Sequence, residues 1–109
     1  MNEENKNIRL VTSVFLFNEK NELLMLKLKQ YKNKYSVPGG GVEYRETSIE
    51  AALRELREET GLKVKNLDFI SVTENTKMDD IYTKNFNHVV FLNYYGKIEG
   101  NFEINLNEE

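Results

Sequence analysis

Residues 40–62 read GGVEYRETSIEAALRELREETGL, and this stretch decides the fold. Thr47-Ser48-Ile49-Glu50 has the form of a capping box, with Thr47 as the N-cap and Glu50 three residues on. Gly61 stands where a left-handed residue closes a helix, so the spacing predicts one helix between the two. Ile49, Ala52, Leu53 and Leu56 fall at i, i+3, i+4 and i+7 and form one apolar stripe. Glu55, Glu58 and Glu59 gather on a different arc. Arg54 lies in reach of Glu50 one turn earlier and Glu58 one turn later. Just ahead stand the single proline, Pro38, and three glycines, Gly39 to Gly41, which read as a tight turn.

Moving outward, Ile8 to Phe17 (IRLVTSVFLF) is β-branched, aromatic and nearly continuously apolar, which predicts a strand covered on both faces. Asn18 to Asn21 is a turn, and Glu22 to Lys29 (ELLMLKLK) predicts a second strand that forms a hairpin with the first. Lys27 and Lys29 would share one face of it. After the helix, Leu67 to Val72 reads as a strand and Asn75 to Phe86 as a polar, acidic loop. His88 to Tyr95 (HVVFLNYY) is a strongly apolar strand, and Gly96 to Glu103 suggests a turn and a further short strand. The order, two strands, a short strand, a helix and three strands, predicts an α+β (mixed α/β) class.

Composition sets the outer limits. The 109 residues suffice for one domain and one core, with no linker or repeat to divide them. No cysteine is present, which excludes disulfides and thiolate metal sites and suits a reducing, cytoplasmic compartment. Fifteen basic against eighteen acidic residues give a net charge of −3, which argues against a nucleic-acid polymer as partner. The apolar runs are too short for a membrane span. The polar, acidic N-terminus has the wrong character for a targeting signal.

Three carboxylates on one helical arc make a poor helix surface but a good platform for a hard divalent cation. In solvent, like charges one turn apart cost only a few tenths of a kcal/mol. In a concave, partly dry site the repulsion rises to about 4 kcal/mol for a pair 4 Å apart at an effective dielectric near 20. Mg²⁺ removes that cost, favours oxygen ligands and is commonly shared with substrate phosphates. The blander alternative is a solvated, salt-bridged helix face. The glycine run at its fixed distance and the flanking Arg54 favour the metal site.

The same residues carry a resemblance. Gly40, five residues, Glu46, seven residues, Arg54-Glu55-Leu56, one residue, Glu58-Glu59, one residue and Gly61-Leu62 resemble the signature of the Nudix hydrolase family at every fixed position. Val37-Pro38-Gly39-Gly40 and Glu43 are similar to the family's lead-in. The resemblance implies a Nudix-type α/β/α sandwich with a mixed sheet, and Mg²⁺-dependent hydrolysis (Mn²⁺ serving as well) of a nucleoside diphosphate linked to a group X. It also implies the roles. Glu55 and Glu59 are the principal metal ligands, Glu58 a further one, with a carbonyl of Gly39 or Gly40; Glu46 and Arg54 orient the carboxylates. The general base would be a helix glutamate, Glu58 or Glu55, or an acid from elsewhere: Glu103 first, then Glu99, Asp79 and Asp80. Arg9, Lys27 and Lys29 are candidates for phosphates, although solvated strand edges would look the same. Tyr31, Tyr35, Tyr82 and Phe86 are candidates for stacking on a base, and His88 for a structural role.

Departures from the family pattern sharpen the expectation. Arg45 stands where relatives commonly have glycine. The position of the proline typical of ADP-ribose pyrophosphatases holds Lys77, and Asn87 to Val90 look more like the small nucleoside-triphosphate pyrophosphohydrolases. The sequence stops at Asn107-Glu108-Glu109, where relatives continue with a strand and a second helix, so a single Nudix domain short at its C-terminus is expected. Apolar surface on Val89 to Leu92 would then be open, or covered by a partner such as a second copy in a homodimer. The expected small-molecule partner is a nucleotide or nucleotide sugar. A Nudix-fold module that senses a nucleotide without cleaving it is the alternative, and the retention of Glu55, Glu58 and Glu59 argues for the enzyme.

Overall fold

Strand β1 (Ile8–Phe17) is the spine of the molecule in the computed structural model, which describes residues 6–27, 34–77 and 87–102. Its unbroken apolar run places it inside the sheet, with Val11 to Val14 and Leu16 buried. One edge of β1 pairs in parallel with β6 (His88–Lys97) along its whole length, from Ile8 opposite His88 to Phe17 opposite Lys97. The other edge pairs antiparallel with β4 (Gly39–Gly41), Val11 facing Gly41 and Ser13 facing Gly39. Strand β5 (Asp68–Asn75) closes the far side, antiparallel to β6 with a bulge between Phe69 and Ser71. The mixed sheet therefore runs β4-β1-β6-β5, and with one helix among the described residues the α+β class holds.

The expected hairpin is largely absent. Asn18 does make the turn: its Oδ1 accepts from the N–H groups of Lys20 and Glu22 at 3.0 and 2.9 Å. The returning chain then bridges β1 only at Phe17 and Leu23, helped by the Leu24 N–H to Leu16 carbonyl bond of 2.9 Å. Farther along, β4 already occupies that edge of β1. The segment read as a strand from Glu22 peels away, and among its described residues β2 (Leu26–Lys27) pairs with β3 (Tyr35–Ser36) in a separate two-stranded sheet. The glycines are likewise an extended edge strand rather than a tight turn. The short strand expected past Gly96 is not formed over residues 98–102.

Helix α1 (Ser48–Thr60) has the predicted ends. Thr47 Oγ1 accepts from the Glu50 N–H, the Glu50 carboxylate accepts from the Thr47 N–H at 2.8 Å, and Gly61 closes the helix at φ +78°. Ala52 and Leu56 are fully buried against Val14, Leu16, Leu24, Leu26, Leu67 and Tyr94, with Ile49 and Leu53 packed at the margin. Ser48 and Tyr94 share a 2.6 Å hydroxyl contact that ties the start of α1 to the sheet. On Val89 to Leu92, expected as open apolar surface, Val90, Phe91 and Leu92 are half-buried, and the more open surface lies on the outer strand. Val89 is buried between β1 and β5, while Phe69, Ile70 and Val72 of β5 are each more than half exposed. Among the described residues no helix is long and apolar enough to cross a membrane.

Candidate active site

Helix α1 packs against β4 and β1, which brings its acidic arc down onto the glycine strand. The contact is close enough that a Cβ on Gly40 would land on the Glu55 carboxylate. A side chain on Gly41 would meet the Arg9 guanidinium in the same way. Consecutive strand residues point to opposite faces. The glycine strand is thus a thin layer with Glu55 on one side and Arg9 on the other, a packing reason for glycine that a turn reading misses. Arg9 also reaches the Val42 carbonyl, at 3.4 Å.

Glu59 sits one turn after Glu55 and accepts a 2.9 Å hydrogen bond from the Gly39 N–H. Burial pushes the Glu59 carboxyl up to about 7, the Gly39 hydrogen bond opposes the shift, and Glu55 and Glu58 add to it. Burial likewise pushes Glu55 up to about 7, against the pull of Arg54 and with the push of Glu58. Glu58 is different: its side chain is 53% exposed. A shielded pair of acids beside a backbone N–H and a third acid half in solvent is an oxygen-rich set lacking full charge compensation.

Arg54 organises the surroundings. Its Nε and Nη2 grip both oxygens of Glu46 at 2.7 and 2.9 Å, a bidentate fork. Nη2 also donates to the Gly41 carbonyl at 3.1 Å, and Nη1 to Glu58 at 3.0 Å, with Glu55 at 3.4 Å. The fork draws the Glu46 carboxyl down to about 2, with the hydrogen bond from Glu43 assisting, and holds Arg54 well above its ordinary value. The expected Arg54–Glu50 pair does not form, because Glu50 is committed to the cap through Thr47 N and Oγ1. The bond to the Gly41 carbonyl was not foreseen. The signal lay in the side chain itself, whose five donors outnumber the helix acceptors within reach.

These carboxylates fit a hard divalent cation in chemistry more than in present geometry. Among the described residues no three His, Asp or Glu side chains converge tightly enough to hold an ion as they stand. Glu58 bonds Arg54 at 3.0 Å and also meets Glu55, while half-buried Glu55 and Glu59 stand one turn apart. The outlying candidates are scattered. Lys27 lies in the small sheet with its Nζ 5.7 Å above the Tyr35 ring. Glu99 is exposed just past β6. His88 Nε2 faces Glu74 across the strands at 3.6 Å. Lys29, Tyr31, Asp79, Asp80, Tyr82, Phe86 and Glu103 lie outside the described residues.

A mixed sheet carrying an acidic, arginine-braced helix on a glycine strand is the arrangement that the signature at Gly40 to Leu62 implies. The NUDIX domain model matches residues 7–109, and the chain belongs to that family. It is 49% identical over 51 residues, 43% of this chain and 30% of the relative, to an ADP-ribose pyrophosphatase of Methanocaldococcus jannaschii. It is 38% identical over 61 residues, 56% of this chain and 34% of the relative, to diphosphoinositol polyphosphate phosphohydrolase 2 of Rattus norvegicus. The matches thus span about a third of the curated relatives' length. The fold is that of the MutT protein of Methanosarcina mazei Go1, at a TM-score of 0.78 and 22% identity, covering 98% of this chain and 75% of that one. A MutT Nudix hydrolase of Burkholderia pseudomallei superposes with a TM-score of 0.73 at 22% identity, covering 91% and 74%.

Proposed function

We propose that this protein is a divalent-cation-dependent pyrophosphohydrolase that cleaves the diphosphate linkage of a nucleoside diphosphate joined to a further group X, with nucleoside triphosphates as the preferred class. The carrying observation is the shielded pair Glu55 and Glu59, both pushed up to about 7 over a strand of glycines. Half-buried acids raised in this way are poised to accept a cation, whose arrival offsets their desolvation and mutual repulsion. The pyrophosphatase and phosphohydrolase names of the relatives support hydrolysis as the reaction.

Glu55, Glu59, Glu58 and the Gly39 carbonyl would hold the cation, Mg²⁺ or Mn²⁺. When bound, the cation supplies neutralisation of the charge on the phosphoryl oxygens and a more acidic water. Arg54 and Glu46 hold the helix acids against the strand, a supporting role in which Gly40 takes part by leaving room for Glu55. Glu58, half in solvent, is put forward to take the proton of the attacking water, with Glu55 and Glu103 as the other candidates. Arg9, Lys27 and Lys29 stay candidates for phosphate contacts, and Arg9 lies on the face of the glycine strand opposite Glu55.

The test is a panel of nucleoside di- and triphosphates and nucleotide sugars incubated with Mg²⁺, with phosphate, pyrophosphate and nucleoside monophosphate measured separately. Release of monophosphate and pyrophosphate from a triphosphate is expected. Tight binding without turnover would replace the enzyme by a sensor.

A further inference from the structure

The turn between the glycine strand and α1 is built at a cost that the fold does not require. Residues Glu43 to Glu46 close it, with the Glu46 N–H donating to the Glu43 carbonyl at 3.0 Å. The Glu43 N–H in turn donates to Glu46 Oε1 at 3.0 Å. The third residue, Arg45, has φ +67°, while Tyr44 before it does not enter the positive region. That is the type II pattern, whose third position favours glycine. An arginine there is strained, and the strain is not offset by packing. Tyr44 is 90% exposed and Arg45 is exposed, and among the described residues their recorded contact is with each other. The guanidinium carbon lies 5.7 Å from the Tyr44 ring centroid.

The neighbourhood is anionic. Glu46 is next in the chain, and through Arg54 the turn connects directly to Glu55 and Glu58. Arg54 has its donors occupied by Glu46, Glu58 and the Gly41 carbonyl, which leaves it little capacity for a ligand. Arg45 keeps its donors facing solvent, on a ring that limits the freedom of a long side chain. Backbone strain of this kind clusters at ligand sites, and the turn that carries it is tied to the acidic arc through Glu46 and Arg54.

We propose that Arg45, braced on Tyr44, is a specificity-determining contact for an anionic group of the substrate beyond the diphosphate, so that the site prefers an X that is itself a phosphate over a neutral sugar. This rests on the pyrophosphohydrolase reading and adds the residue that sorts its substrates. The guanidinium supplies planar paired donors that match phosphate oxygens, and a pre-placed cation loses less freedom on binding.

The test is titration calorimetry with Mg²⁺, comparing an α,β-methylene nucleoside triphosphate with the α,β-methylene analogue of ADP-ribose on wild type, Arg45→Gly, Arg45→Lys and Tyr44→Ala. Arg45→Gly is expected to lower the affinity ratio of the triphosphate analogue to the ADP-ribose analogue about tenfold. Its urea midpoint should rise as the strain is relieved, the opposite direction from a structural defect. Arg45→Lys should retain most of the ratio, and Tyr44→Ala should lose part of it. An unchanged ratio in Arg45→Gly, or a ratio that falls only with a falling midpoint, overturns the inference. In parallel, wild type is assayed on the cleavable triphosphate and ADP-ribose. Binding governed by Arg45 without any cleavage would overturn the hydrolase reading alone, and wild type that binds neither ligand would overturn both.

Discussion

Arg54 and Glu46 show what a single residue pair can carry. The bidentate fork keeps the Glu46 carboxyl near 2, against 4.5 for an unperturbed glutamate. A carboxyl that is depressed in the folded state contributes stability that is complete above about 4.5 and lost as the pH falls toward 2. Glu46→Gln is therefore expected to lower stability by about 1 kcal/mol at neutral pH. Urea midpoints of wild type and variant should converge as the pH approaches 2. A constant gap over that range would show that the ion pair is not the source. At this scale the contacts of Arg54 are legible in part. Glu46, Arg54, Glu55, Glu58 and Glu59 were singled out by spacing and by the family pattern, and the structure sets Glu46 and Glu58 on Arg54. What was not readable is which acceptors Arg54 takes. The choice of Glu46 over Glu50 depends on the cap having already claimed Glu50.

Helix α1 is the element whose ends and buried face follow most directly from local chemistry. Thr47, Glu50 and Gly61 act on their own backbone neighbours, so no distant contact is needed to predict them. Thr47→Ala should cost about 1 kcal/mol by chemical denaturation. It should leave the rate of hydrolysis within a few-fold of wild type, since the Thr47 side chain is engaged with Glu50 of the cap and not with Glu55, Glu58 or Glu59. The strands behave otherwise. The segment from Glu22 to Lys29 has the right residues for a long strand, yet among its described residues only Leu26–Lys27 is one. The competition for the β1 edge is decided by Gly39 to Gly41, which arrive from farther along the chain. The glycines misled in the same way. Their role as a thin layer under Glu55 and over Arg9 depends on a helix and a strand that meet only in the folded state.

Across the whole molecule, the folding of α1 onto the β4-β1 edge concentrates negative charge where burial makes it unfavourable. The parallel pairing of β1 with β6 could not be read from the strands themselves, because it joins residues eighty positions apart. The price of the acidic arc should be visible in the stability of the entire domain. A ligand that binds only the folded state at a hundredfold over its Kd adds about 2.7 kcal/mol. Saturating Mg²⁺ should raise the melting temperature of wild type by several degrees on that basis. Glu55→Gln should abolish most of the rise. An equal rise in the variant would place the cation elsewhere.

The most direct measurement is the rate of nucleoside monophosphate release from a nucleoside triphosphate by Glu59→Gln at saturating Mg²⁺, set beside wild type and beside the melting temperature of each. Glu59 is shielded, accepts from the Gly39 N–H and is raised toward neutrality by its burial. Glutamine keeps the shape and removes the charge, so the fold should be retained or slightly stabilised. The rate should fall by about a hundredfold or more, as expected when electrostatic stabilisation of a phosphoryl transfer is lost. A variant that remains folded and cleaves within a few-fold of wild type would contradict the assignment of the reaction to the acidic arc of α1.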